Sequence, residues 1–168
     1  MKLGLVAVAW VALSAFSLRA EEGAKAVKAG DAVPDVGGVD ETGKEVKLSS
    51  FKGKSGVVLY FYPRADTPGC TIESCGFSKE IKAFNEKGYT VLGASCDTPE
   101  DQAKFKKKFD MTINLLSDPK AELAGTFGFK AKERKTVVIG KDGKVERIYD
   151  KVVPAEHIAQ VLKDLGAK

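Results

Sequence analysis

The sequence predicts an α/β domain built on a central mixed β-sheet flanked by helices. Three observations carry that prediction. Residues 57–62 (VVLYFY) and 89–95 (YTVLGAS) are continuous, largely apolar runs, as expected of strands buried on both faces. Each is followed by a helix-start signal, Thr67-Pro68 after the first and Asp97 or Thr98 with Pro99 after the second. Near the C-terminus, Asp142-Gly143 separates the apolar runs 136–139 and 145–149, which is a strong hairpin pattern.

Taken in order, the chain begins with a segment different in kind. Lys2 is followed by an apolar run from Leu3 to Leu13 that continues through Ala15, Phe16 and Leu18, and no acid precedes Glu21. A basic start, an apolar stretch of this length and small residues near its end describe a secretory signal peptide, residues 1–20. Cleavage after Ala20 fits the change of composition at Glu21, and cleavage after Ser17 fits the small residues Ala15 and Ser17. The run is nearly long enough to serve instead as an uncleaved anchor. Losing residues 1–20 removes Lys2 and Arg19 and leaves 25 bases against 23 acids. The expected location is exported, periplasmic or secreted, with no stable membrane association once the signal is cut. All three cysteines remain, in surroundings where disulfides persist.

Residues 21–30 read as a flexible lead-in, and residues 31–168 as the one globular domain. Residues 44–48 alternate after the turn Thr42-Gly43 and form a short strand. A helix is expected over 68–87, with Ile72, Cys75, Phe77, Ile81 and Phe84 on or near one face and Gly88 ending it. Residues 113–116 are a further strand, and Asp118-Pro119 opens a short helix. Residues 154–165 form a terminal amphipathic helix with Ile158, Val161, Leu162 and Leu165 inward, and His157 on its polar side at the surface. Strands and helices in this order make an α/β sandwich, not a repeat array.

Composition narrows the function. The chain has 168 residues, 43% hydrophobic and 30% charged, enough for one real core. Its net charge of +4 is small and its lysines are interspersed with acids, so nucleic-acid binding is not expected. One histidine in the whole chain argues against a His-rich metal site. Three cysteines allow at most one intramolecular pair.

The chemistry concentrates in YFYPRADTPGCTIESC, residues 60–75, where a buried strand meets a helix start. That edge of an open α/β sheet is where ligands bind. Thr67 fits the N-cap, Pro68 the first helical position, and Gly69 permits close approach of neighbouring groups. Cys70 then sits in the first turn, near unpaired N–H groups and the positive end of the helix dipole, a placement that makes a reactive thiol. The bland alternative is a buried cysteine packed as a small apolar residue. Cys75 lies five residues on. In an intact helix the two Cα atoms are roughly 8.6 Å apart, whereas a disulfide needs about 7 Å or less. Such a pair closes only after the first turns unwind, which suits a thiol that is oxidised first and captured second.

DTPGCTIESC (66–75) following YFYPR (60–64) resembles the active-site segment of the peroxiredoxins, nearest to the bacterioferritin comigratory protein or peroxiredoxin Q subfamily. GASCD (93–97) and RKTVVI (134–139) extend the likeness, which runs from about Val27 to the C-terminus. The resemblance implies a thioredoxin-like fold and thiol-dependent reduction of hydrogen peroxide and organic hydroperoxides, as antioxidant defence, without metal or other cofactor; a monomer is expected, though no motif specifies the oligomeric state. It implies that Cys70 is the peroxidatic cysteine and Cys75 the resolving one. A redox-active Cys70–Cys75 disulfide would then be recycled by a thioredoxin-like reductant. Thr67 and Arg134 would hold the sulfur and the peroxide oxygens, Thr67 by capping through the Cys70 N–H or by donating to the sulfur. Pro63 would shield the site, with Pro68 and Gly69 completing the pocket. On charge alone Arg134, in KERK (132–135), would be a solvated surface residue. Val137 departs from the Phe usual in the family, a change expected to bear on the pocket mouth. Cys96 stands outside the motif and reads as an inert packed thiol.

Two rival classes are weaker. A thiol–disulfide oxidoreductase would need Cys-x-x-Cys, which is absent. A copper carrier would need a third soft or imidazole ligand beside the cysteines, and the only histidine is His157, far along the chain.

Overall fold

A computed structural model describes residues 25–166. The proposed signal segment, residues 1–20, lies outside the described residues. One seven-stranded mixed sheet has the order β2-β1-β5-β4-β3-β6-β7. The strands are β1 (Gly37–Asp40), β2 (Glu45–Lys47), β3 (Gly56–Phe61), β4 (Tyr89–Ser95), β5 (Asn114–Ser117), β6 (Lys135–Ile139) and β7 (Val145–Tyr149). The helices are α1 (Pro68–Lys79), α2 (Ile81–Glu86), α3 (Pro99–Lys108), α4 (Glu122–Thr126) and α5 (Pro154–Gly166).

Both faces of the sheet are covered, and β3 shows why the apolar run is continuous. Val57, Leu59 and Phe61 point to one core with Phe127 and Phe129, and Val58 and Tyr60, followed by Tyr62, point to the other with Phe77, Phe84 and Phe105. β3 runs parallel to β4 and antiparallel to β6. The C-terminal ends of β3 and β4 therefore share an edge with the start of β6, and Phe61 pairs with Lys135 there. This register brings Arg134 beside the first turn of α1.

Several expectations change in the structure. The helix expected over 68–87 is two helices that meet at Glu80, whose N–H bonds back to Gly76 and Ser78. The break lets α1 lie along α5 while α2 lies against β4. β1 was not legible, because Gly37 and Gly38 carry no strand pattern. A Cβ on Gly37 would lie 2.0 Å from the Val46 carbonyl oxygen, so close pairing with β2 requires glycine. The short helix begins at Glu122, later than Asp118-Pro119; the Asp118 carboxylate accepts the N–H groups of Leu123 and Ala124. Over 25–30 the expected flexible lead-in is docked: Val27 is buried and donates its N–H to Thr126 O, and Gly30 donates to Val145 O.

His157 is a correction. It is fully buried, with Nε2 2.8 Å from Thr136 Oγ1 and its ring edge-on to Phe77 and Tyr149. Thr136 on the inner face of β6 supplies a polar partner that helical spacing alone does not reveal. Burial pushes the imidazole down to about 4, and the Arg134 charge adds to that.

Candidate active site

The first turn of α1 is built as its residues dictate. Thr67 takes extended N-cap geometry and Pro68 opens the helix. The Thr67 hydroxyl, however, neither caps the helix nor reaches the sulfur; it donates to Arg64 O at 3.0 Å. Cys70 is the third helical residue and is almost wholly buried, in one cluster with Tyr60, Tyr62 and Phe77. Tyr60 stacks on Phe77 and its hydroxyl donates to Ser74 Oγ at 2.9 Å. Pro63 is half-buried in the loop before the helix, Pro68 is exposed, and Gly69 is half-buried.

Arg134 is not a solvated surface residue. Its Nη2 donates to Cys70 Sγ at 3.2 Å, and its Nη1 is paired with Glu73 Oε2. Gly69 makes room for this: a Cβ there would lie 3.3 Å from Nη2 and 3.7 Å from Pro154. A planar guanidinium serves sulfur and carboxylate from two separate nitrogens held in a fixed fork, whereas an ammonium would have to direct both bonds from one.

Sequence reasoning gave Glu73 no role. It is fully buried, three residues past Cys70 and so on the same helical face. Its spacing of three residues from Cys70 was the available signal, while its burial is known only from the fold. Burial pushes its carboxyl up to about 7, against the opposing pull of Arg134.

Cys70 and Cys75 are both free thiols within an unbroken α1. Cys75 is half-buried on another face of the helix, and burial pushes its thiol up. The structure thus joins Cys70, Gly69 and Arg134, and leaves Cys75 apart. Val137 packs into the core on the opposite face of the sheet from Cys70, so its departure from Phe does not line the Cys70 pocket. Cys96 is half-buried just beyond β4, looser than a packed core thiol.

A thioredoxin-like sheet carrying a buried helix-start cysteine under a guanidinium defines the class of thiol-based oxidoreductases. Residues 29–148 match the model of the AhpC/TSA family, and the chain belongs to that family. Peroxiredoxin Bcp of Bacillus subtilis is 37% identical over 156 residues, covering 84% of this chain and 99% of that protein. The chloroplastic peroxiredoxin Q of Oryza sativa subsp. japonica is 38% identical over 146 residues, covering 83% of this chain and 67% of that protein. The crystal structure of peroxidoxin BcpB from Mycobacterium tuberculosis superposes with a TM-score of 0.78 at 35% identity, covering 84% of this chain and 97% of that one. The enzyme is accordingly a thiol-dependent peroxidase.

Proposed function

We propose that Cys70 is the peroxidatic cysteine, and that it reduces hydrogen peroxide and organic hydroperoxides. The observation that carries this is the Arg134 Nη2 donor 3.2 Å from the Cys70 sulfur. The Cys70 thiolate attacks the terminal peroxide oxygen. The O–O bond breaks, Cys70 becomes a sulfenic acid, and the hydroxide or alkoxide released takes up a proton from the buffered solvent, giving water or alcohol. Negative charge passes from sulfur to the leaving oxygen, and a fixed cation beside both stabilises that passage. Glu73 holds the cation in place, and Pro63 and the tyrosines limit water. The thiol supplies both electrons, so the chemistry calls for no cofactor.

Cys75 then attacks the sulfenic sulfur, releasing water and closing a Cys70–Cys75 disulfide. A dithiol reductant of the thioredoxin type restores both thiols. We read residues 1–20 as an export signal, so this reductant would act outside the cytoplasm. Alkyl peroxide reduction is the activity ascribed to the bacterioferritin comigratory protein of Xanthomonas campestris, a structural relative, and it favours organic hydroperoxides among the substrates here.

The test is stopped-flow mixing of reduced protein with peroxide. Cys70→Ser is expected to consume none, and Cys75→Ser one equivalent before stalling with a disulfide-specific reductant. Consumption of an equivalent by Cys70→Ser would overturn the assignment.

A further inference from the structure

Gln102 heads a buried polar network, and neither it nor Ser95 nor Asp97 has a part in the steps above. Gln102 lies on the inner face of α3 and is fully buried. Its Nε2 donates to Ser95 Oγ at 2.8 Å and to Leu116 O at 3.0 Å, and its Oε1 accepts the hydroxyl of Tyr62. Ser95 Oγ donates to Asp97 Oδ2 at 2.7 Å, and the same carboxylate oxygen accepts the Ala65 N–H at 2.7 Å. A connected network thus runs from α3 through the end of β4 to two points, Tyr62 and Ala65, on the segment leading into Cys70. Tyr62 belongs to the core cluster that holds Cys70.

The next residue adds an independent sign of restraint. Asp66 sits at φ 57, in the left-handed region that a non-glycine residue occupies at a cost. Its carboxylate is held by both oxygens, 2.8 and 2.7 Å from Lys108 Nζ, again on α3. The loop before Cys70 is therefore pinned at three nearby residues, Tyr62 and Asp66 to α3 itself and Ala65 to Asp97 just ahead of it, by groups that make no contact with the reaction. A fully satisfied buried network rigidifies what it holds.

We propose that Gln102, with Ser95 and Asp97, is a positioning device that sets how long oxidised Cys70 stays in its buried seat. It would thereby set the partition of the Cys70 sulfenic acid between two fates. In one, Cys75 displaces water and closes the disulfide. In the other, a second peroxide transfers an oxygen, giving sulfinic acid and water or alcohol. Closure requires the segment around Cys70 to leave its seat, because the two Cα atoms are too far apart in the intact helix. Every bond that pins residues 62–66 favours the seated form and delays closure. The proposal rests on the reading of Cys70 and Cys75 given above.

Two variants test it. Gln102→Met keeps a similar volume and removes all three bonds of the amide, and Tyr62→Phe keeps the ring and removes one. Reduced protein is mixed with peroxide, quenched with an alkylating agent at successive times, and the thiol, disulfide and sulfinic forms are resolved by mass. In both variants closure should speed at least about threefold, the effect of one lost hydrogen bond on opening. Sulfinic acid formed per turnover in excess peroxide should fall by a similar factor, while oxidation of Cys70 does not speed up. A merely structural role would slow oxidation and closure together. If Gln102→Met does not fold, Tyr62→Phe decides. Variants that close no faster than the unmutated protein would overturn the clamp alone. Failure of the unmutated protein to form a Cys70–Cys75 disulfide would overturn the underlying reading and the proposal with it.

Discussion

Arg134 shows how much one side chain depends on its neighbours. Its fork holds Cys70 Sγ with one nitrogen and Glu73 with the other. Replacing it with alanine removes the cation and also strands a buried carboxyl, which then keeps its proton. Arg134→Ala should slow oxidation of Cys70 by at least about tenfold, or about 1.4 kcal/mol of transition-state stabilisation. Arg134→Lys should recover only part, because an ammonium keeps the charge and loses the two-sided geometry. Rapid-mixing oxidation rates check both; an unchanged rate for Arg134→Ala would show that the Arg134 cation does not stabilise the transition state. Cys70 was legible in sequence because the strand–Thr-Pro-Gly–helix pattern fixes a first-turn position. Arg134 was legible only through family resemblance, since KERK alone describes a solvated turn. Thr67 illustrates the reverse: its type suited capping, yet its hydroxyl turns back to Arg64 O.

At the scale of the element, the proposed Cys70–Cys75 disulfide makes α1 a helix that would have to open during turnover. Ser74, Gly76 and Ser78 surround Cys75 and are poor helix formers, so propensity does little to hold this stretch. Packing holds it instead: Phe77 is fully buried, and a Cβ on Gly76 would lie 2.9 Å from Ile158 of α5. Oxidation to the disulfide should therefore lower amide protection across residues 68–80 relative to the reduced protein. Hydrogen exchange by mass spectrometry measures this; equal protection in the two states would mean that the pair closes without unwinding or that Cys75 is not the partner. The end of α1 could not be read from the sequence. No glycine or proline marks Glu80, and the break reflects competition between α5 and β4 for the two halves of one apolar face.

At the scale of the whole molecule, the fully buried His157 ties stability to pH. Its folded value is about 4, below the ordinary 6.5, so the unfolded chain binds the proton more readily. The stability this contributes is complete above about pH 6.5 and is lost as pH falls toward 4, by at most about 3 kcal/mol. Glu73 is shifted the other way, so its contribution is complete below its ordinary value of 4.5 and is lost as pH rises toward about 7, and the overall profile mixes opposing trends. The difference in unfolding free energy between the unmutated protein and His157→Gln isolates the histidine. That difference should shrink between pH 6.5 and 4.5, and a flat difference would show that His157 does not drive it. Cys96→Ser should leave the catalytic cycle intact, since Cys96 lies outside the Cys70 cluster. The sequence by itself determined the two-sided strands, the starts of α1, α3 and α5, the hairpin and the place of Cys70, because each follows from periodicity or from residues a few positions apart. Only the tertiary structure decided the Arg134–Glu73 pair, the burial of His157 against Thr136, the glycine-built pairing of β1 and the Gln102 network. In each of these the partners lie far apart in sequence or carry no pattern of their own, and the register of the sheet and the packing of helices upon it bring them together.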